Sequence, residues 1–177
     1  MARRSSPTLD PMSNAEPELT KIHIDLPNHW WHKGESLWAR PLGNNAYEIE
    51  NIPFCAYGLN CGDVVLATAD SPDLKPEVRS VIRTSGNQTL RVSFCDRLSK
   101  EEQQSVVSTL ESMGAELERA TAQFVCINVP PTLDPQAVRG YLAKQESEGV
   151  LEYETCKERV LGSFDDRPSV PGSGREV

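Results

Sequence analysis

Apolar and polar residues alternate over Leu19–Leu26, with Ile22, Ile24 and Leu26 on one face and Lys21, His23 and Asp25 on the other, the period of a half-buried strand. Pro27 ends that strand, and His29-Trp30-Trp31-His32 followed by Lys33-Gly34 reads as a connection carrying aromatic bulk. Ser36–Pro41 and Ala46–Ile49 predict two strands joined through Gly43-Asn44-Asn45, residues that tolerate positive φ. Pro53 blocks helix within Asn51–Tyr57 and argues for an edge or loop segment. Val64–Ala67 is a short apolar strand after Gly62-Asp63, and Asp70–Pro76 is a loop. Glu77–Thr84 and Gln88–Phe94 predict a hairpin across Ser85-Gly86-Asn87, completing a small, largely antiparallel sheet or barrel.

Downstream the period changes. Ser99 with Glu102 three positions on forms a capping box, and Val106, Val107, Leu110 and Met113 recur at helical spacing until Gly114. Glu116–Thr121 and Gln123–Val129 predict two strands. Asp134 and Pro135 stand in the N-cap and N1 places of a second helix, which turns Val138, Tyr141 and Leu142 inward and ends at Gly149. Val150–Cys156 is the last strand. The expected fold class is α+β: a small antiparallel β sheet or partial barrel over residues 19–88, followed by a ferredoxin-like (βαββαβ) sandwich over residues 89–158. Residues 1–18 and most of 159–177 lack any apolar period and are expected to be disordered tails.

A chain of 177 residues, 38% hydrophobic, is long enough to bury a core. The basic Arg3-Arg4 pair has no apolar run behind it, and nothing approaches the roughly 20 apolar residues of a membrane span. A soluble cytoplasmic protein is expected. Five cysteines, Cys55, Cys61, Cys95, Cys126 and Cys156, are an odd number set among apolar neighbours, the pattern of free thiols in a reducing compartment.

The net charge of −8 is unevenly placed. Residues 99–158 carry eleven acidic and five basic side chains, whereas residues 1–98 carry twelve and ten. The downstream half therefore repels nucleic acid and attracts a basic partner.

Motifs for chemistry are sparse. His23, His29 and His32 cluster in sequence but straddle a strand end and a loop without a CxxC or HExxH companion, so no metal is expected. Cys55 and Cys61 flank Gly58 with no base or helix N-terminus to make a thiolate. There is no G-x-S-x-G elbow, no G-x-G-x-x-G and no phosphate loop, and no cofactor is expected. Glu35, Asp63 and His32 are the only residues that an enzymatic reading can nominate, and they specify no reaction.

The basic pattern is more suggestive. On the expected hairpin Arg79 and Arg83 share a face with Arg91, while Val78, Ser80, Ile82, Leu90, Val92 and Phe94 turn inward. Three guanidiniums so placed can hold phosphates or carboxylates, or can pair with the acidic helices downstream. Trp30, Trp31 and Trp38 can supply a stacking platform, although the sheet lacks the aromatic set of an RNA-recognition surface, offering only Phe124 on its central strand.

Several blocks, in this order and spacing, resemble one family: Glu35-Ser36-Leu37-Trp38-Ala39, Asn51-Ile52-Pro53-Phe54 with Ala56, Gly62-Asp63-Val64-Val65, Ser85-Gly86-Asn87 with Thr89-Leu90-Arg91, and Glu148-Gly149 before Glu152-Tyr153-Glu154. They are similar to the bacterial domain-of-unknown-function family numbered 4265, over about residues 21–157. The chain departs from it in Cys55, where an aromatic is expected, and in a longer loop around Asp70–Pro76. The resemblance implies a stand-alone small bacterial protein and no established activity.

The resulting expectation is a non-enzymatic cytoplasmic protein-binding module, an immunity- or antitoxin-like antagonist of a basic partner protein, with Glu146, Glu148, Glu152 and Glu154 as contacts and Glu111, Glu116 and Glu118 beside them. The alternative is a nucleotide- or RNA-binding regulator using Arg79, Arg83, Arg91 and Trp31.

Overall fold

The computed structural model describes residues 18–156 and residue 164. Five strands, β1 (Thr20–Asp25), β2 (Gly34–Gly43), β3 (Ala46–Ile49), β4 (Val64–Thr68) and β5 (Glu77–Arg83), close into a barrel. Neighbours run antiparallel, and the ring is closed by a parallel contact of β1 with β5, His23 opposite Glu77, with the His23 N–H donating to the Pro76 carbonyl at 2.8 Å. The alternation in β1 has its expected result, because Ile22, Ile24 and Leu26 fill the barrel with Leu37, Ala39, Ile49, Val65, Ala67 and Val78. The β2–β3 turn uses Gly43, Asn44 and Asn45 at φ of 88°, 53° and 59°.

Irregularities in the β4–β5 register shift the pattern of β5. Val78 and Val81, three residues apart, both pack on the barrel core, and Ile82, expected inside, is 56% exposed.

The second half runs β6 (Gln88–Phe94), α1 (Lys100–Met113), β7 (Glu116–Arg119), β8 (Phe124–Val129), α2 (Pro135–Ser147) and β9 (Leu151–Thr155). Its antiparallel sheet has the order β7-β8-β6-β9. The Ser99–Glu102 capping box is formed, and Gly114 ends α1 in the left-handed region at φ 102°, open to glycine without strain. Asp134 caps α2 through the Gln136 N–H. Val106, Val107 and Leu110 of α1 and Val138 and Leu142 of α2 share one core with Leu90, Val92, Val125, Ile127 and Leu151 of the sheet.

The expected fold class is corrected in two respects. Glu77–Arg83 and Gln88–Phe94 do not pair as a hairpin: β5 belongs to the barrel and β6 to the second sheet. The protein is not a ferredoxin-like sandwich behind a partial barrel but mostly β, with a closed five-stranded barrel, about twice as many strand as helix residues and only two helices among the described residues. Fusion of the two parts is the physical reason. The sheet face away from the helices is covered by the barrel connection around residues 52–60, whose backbone meets Arg91, Glu118 and Cys156 and whose Asn60 side chain accepts from the Thr89 N–H. The α+β content stands.

The expected disordered tails lie outside the described residues, except that Phe164 is buried in the barrel core. No helix among the described residues is long and apolar enough to cross a membrane.

Candidate functional site at the junction of barrel and sheet

Leu90 and Val92 point toward the helices, so the alternation of β6 sends Arg91 to the other face, against the barrel. There it is 2% exposed. Its Nε donates to the Phe54 carbonyl and its Nη2 to the Ala56 carbonyl, both at 2.7 Å, and Nη1 meets Glu154 Oε1 at 3.4 Å. The guanidinium also lies 4.4 Å from the Tyr57 ring centroid, while the Tyr57 hydroxyl donates to the same Glu154 oxygen at 2.7 Å. Burial, then the hydrogen bond to Glu154, pushes the Tyr57 phenol upward. Every part of the Arg91 fork has a partner, so a buried charge is tolerated.

The carbonyls that hold Arg91 are themselves fixed by a carboxylate. Glu35 on β2 accepts from three successive backbone N–H groups, Phe54 at 2.7 Å, Cys55 at 2.9 Å and Ala56 at 2.8 Å. Pro53, lacking an N–H, precedes this cradle, which turns the 54–56 backbone with its donors toward the barrel and two carbonyls toward the sheet. Asp63, 1% exposed, plays a similar part near the β5–β6 connection, accepting from Asn60 N–H, Ser85 N–H and the Ser85 hydroxyl.

Around Arg91 opens a cleft of about 520 Å³. Aromatic side chains dominate its walls: His29, Trp30, Trp31, Phe54, Tyr57, Phe124 and Tyr153. Its charged members are Arg91, Glu152 and Glu154, a net of −1 when His29 is neutral. Neutral His29 is favoured because its Nδ1 accepts from the N–H groups of Trp31 at 3.2 Å and His32 at 3.0 Å. Burial, followed by the charges of His32 and Arg91, lowers its pKa below 6.5. This histidine tethers the loop that presents Trp30, 83% exposed, and Trp31, 56% exposed, whose rings stack 5.8 Å apart.

Of the residues singled out in the sequence, Trp31, Arg91, Glu152 and Glu154 meet in this cleft, although they belonged to rival readings. Glu146 and Glu148 lie at the C-terminal end of α2, where Glu148 pairs with Lys144 at 3.9 Å and Glu146 accepts from the Tyr153 N–H. Glu116 and Glu118 sit on β7, accepting from Asn128 Nδ2 and the Ile52 N–H, and Glu111 is exposed on α1. The arginine trio is not assembled. Arg79 is paired with Glu77 at 2.9 Å and Asp70 at 3.5 Å, Arg83 is exposed on the barrel, and Arg91 is buried in the other sheet. Trp38 is on β2, beneath the Lys21 ammonium at 4.7 Å from its ring.

Glu35 and Asp63, nominated for chemistry, are engaged by backbone N–H groups, and His32 joins neither in a hydrogen bond. All five cysteines are free, and burial pushes Cys55 and Cys61 up to about 11 and Cys126 and Cys156 upward as well. Thiolate is therefore scarce at these four positions at neutral pH. Among the described residues no three His, Cys, Asp or Glu side chains come together as a metal site. Sequence reasoning missed Tyr57, the loop-tethering role of His29 and the cradle role of Glu35; an arginine between two core-facing strand positions is the one local signal of a buried anchor.

No curated protein matches the chain. Among solved structures it is similar to a hypothetical protein from Neisseria gonorrhoeae, 19% identical with a TM-score of 0.65, covering 81% of this chain and 96% of that one. That likeness concerns the fold alone. A family model described as a domain of unknown function, DUF4265, matches residues 35–153, about two thirds of the chain. The match spans Glu35, Phe54, Tyr57, Arg91 and Glu152 and leaves out the His29–Trp31 loop. The resemblance read in the sequence is thereby borne out, and the chain belongs to the DUF4265 family.

Proposed function

We propose that the protein is a non-enzymatic binding module of the cytoplasm that engages a basic partner protein through the cleft at the junction of barrel and sheet, as an immunity protein engages its toxin. The observation that carries this reading is the pair of exposed indoles, Trp30 and Trp31, at a cleft of net negative charge. Exposed tryptophans are costly to leave in water and are the side chains most enriched where a partner docks. Acidic neighbours raise the association rate of a basic partner and make it salt-dependent. The engaged carboxylates Glu35 and Asp63 and the protonated thiol of Cys55 in the cleft favour binding over catalysis.

The arginine-based alternative has less support. Arg91 already donates to two carbonyls and a carboxylate, and Arg79 is paired, so neither offers a free fork to a phosphate.

The test is capture from a lysate of the source cells by the tagged protein and by its Trp30→Ala/Trp31→Ala variant, at low and high salt. A basic protein held by the wild type, released by salt and lost from the variant is expected. Capture of nucleic acid, or of the same proteins by both baits, overturns the reading.

A further inference from the structure

The face of the sheet that lines the cleft is built in rungs. On one rung Cys126, Arg91 and Glu154 stand side by side across β8, β6 and β9; on the next stand Phe124, Ser93 and Glu152. Arg91 occupies the first rung with a guanidinium laid against an aromatic ring and turned to a carboxylate. The second rung has the ring, Phe124, and the carboxylate, Glu152, but only an exposed serine between them. The Glu152 side chain is exposed and makes no hydrogen bond or ion pair among the described residues. With strands about 4.8 Å apart, the gap from β8 to β9 over Ser93 is roughly 10 Å, wide enough for one flat group.

Resting on the reading of the cleft as the site for a basic partner, we infer that the partner residue entering it is an arginine, whose guanidinium lies over Ser93, turns its fork to Glu152 and stacks on the cleft aromatics at Trp31 and Phe124. The guest repeats, one rung along, the arrangement that Arg91 makes within the chain. Lysine fits less well. Its ammonium is a strongly hydrated point charge that cannot offer a carboxylate two parallel donors or an aromatic ring a flat face. The apolar walls favour the more weakly hydrated guanidinium.

Titration of the full chain with capped tripeptides Gly-Arg-Gly, Gly-Lys-Gly and Gly-citrulline-Gly, followed by tryptophan fluorescence and by calorimetry, tests this. The arginine peptide is expected to bind about tenfold more tightly than the lysine peptide, and citrulline, isosteric but uncharged, to bind no better than lysine. Glu152→Gln lowers arginine affinity about tenfold, and Ser93→Arg, which fills the rung from within and leaves Glu152 in place, abolishes binding. Both positions are exposed, and unchanged urea midpoints establish that the variants are folded. Equal binding of the arginine and lysine peptides, arginine binding indifferent to both variants, or no binding of the arginine peptide overturns the inference. If a basic protein is nevertheless captured through Trp30 and Trp31, the broader reading survives that failure; if the arginine peptide binds but no basic protein is captured, the broader reading fails instead.

Discussion

The Arg91 guanidinium and the Tyr57 ring face each other at 4.4 Å and share one acceptor, Glu154 Oε1. Arg91 belongs to the helix-backed sheet and Tyr57 to the β3–β4 connection of the barrel. The pair is therefore one of the ties, beside Ile52–Glu118, Gly58–Cys156 and Asn60–Thr89, between two distinct hydrophobic cores, one filled by Leu90, Val125 and Leu110 and the other by Ile22, Leu37 and Val65. The same pair lines the cleft, so the stability of the junction and the shape of the site are linked.

Replacing Arg91 by Met should destabilise the protein by about 3 kcal/mol, because the Phe54 and Ala56 carbonyls lose their donors in a place that water reaches poorly. The partly exposed Glu154 contributes little to that loss. Arg91→Lys should recover only part of it, since an ammonium cannot reproduce the fork that spans two carbonyls. Urea unfolding at neutral pH reads the difference; a midpoint equal to that of the wild type would show that the carbonyls find other partners.

Glu35→Gln should cost about 2 kcal/mol, as charge-assisted acceptance from three N–H groups is replaced by a neutral amide whose NH2 faces donors. Because Glu35 fixes the backbone that Arg91 grips, the two substitutions should be non-additive by about 1 kcal/mol in a double-mutant cycle. Strict additivity would mean that the segment keeps its path without the carboxylate.

His29 should make the aromatic loop sensitive to acid. Its pKa in the folded protein is held below the ordinary 6.5 by burial first, then by His32, Arg91 and Lys33, against the opposing pull of Glu154. As pH falls below about 6.5 the unfolded chain takes up the proton first, so the stability contributed by the neutral ring is complete above that pH and declines as pH drops through the folded value. Protonation at Nδ1 also removes the acceptor for the Trp31 and His32 N–H groups. A drop in urea midpoint and a red shift of tryptophan emission between pH 7 and pH 5 are expected, and His29→Asn, which keeps an acceptor without a titration, should flatten both. A His29→Asn profile as steep as that of the wild type would assign the acid response to other groups.

Local patterns are legible in the sequence and long-range ones are not. The alternation of Ile22, Ile24 and Leu26 and the Ser99–Glu102 box each act within a few residues and appear in the structure as expected. Ser85-Gly86-Asn87 has hairpin composition, yet its polar groups serve the barrel: Ser85 N–H meets Asp63, and Asn87 Nδ2 and the Ser85 hydroxyl meet the Cys61 carbonyl. The flanking strands consequently part into different sheets. Register shifts in β5 break a period-2 reading of Val78–Ile82, and closure depends on one parallel pairing between residues 23 and 77. The cleft was legible only in fragments, since Trp31, Arg91 and Glu152 meet only where the Glu35-held segment crosses the second sheet.

Barrel closure sets a practical limit on where the chain can be cut. The family match begins at Glu35, inside β2, and so omits β1. A fragment trimmed to that match loses the strand that joins β2 to β5, and it also loses Phe164 from the core. Two unpaired strand edges would then face solvent with their backbone donors and acceptors bare, the condition under which sheets add to one another and aggregate.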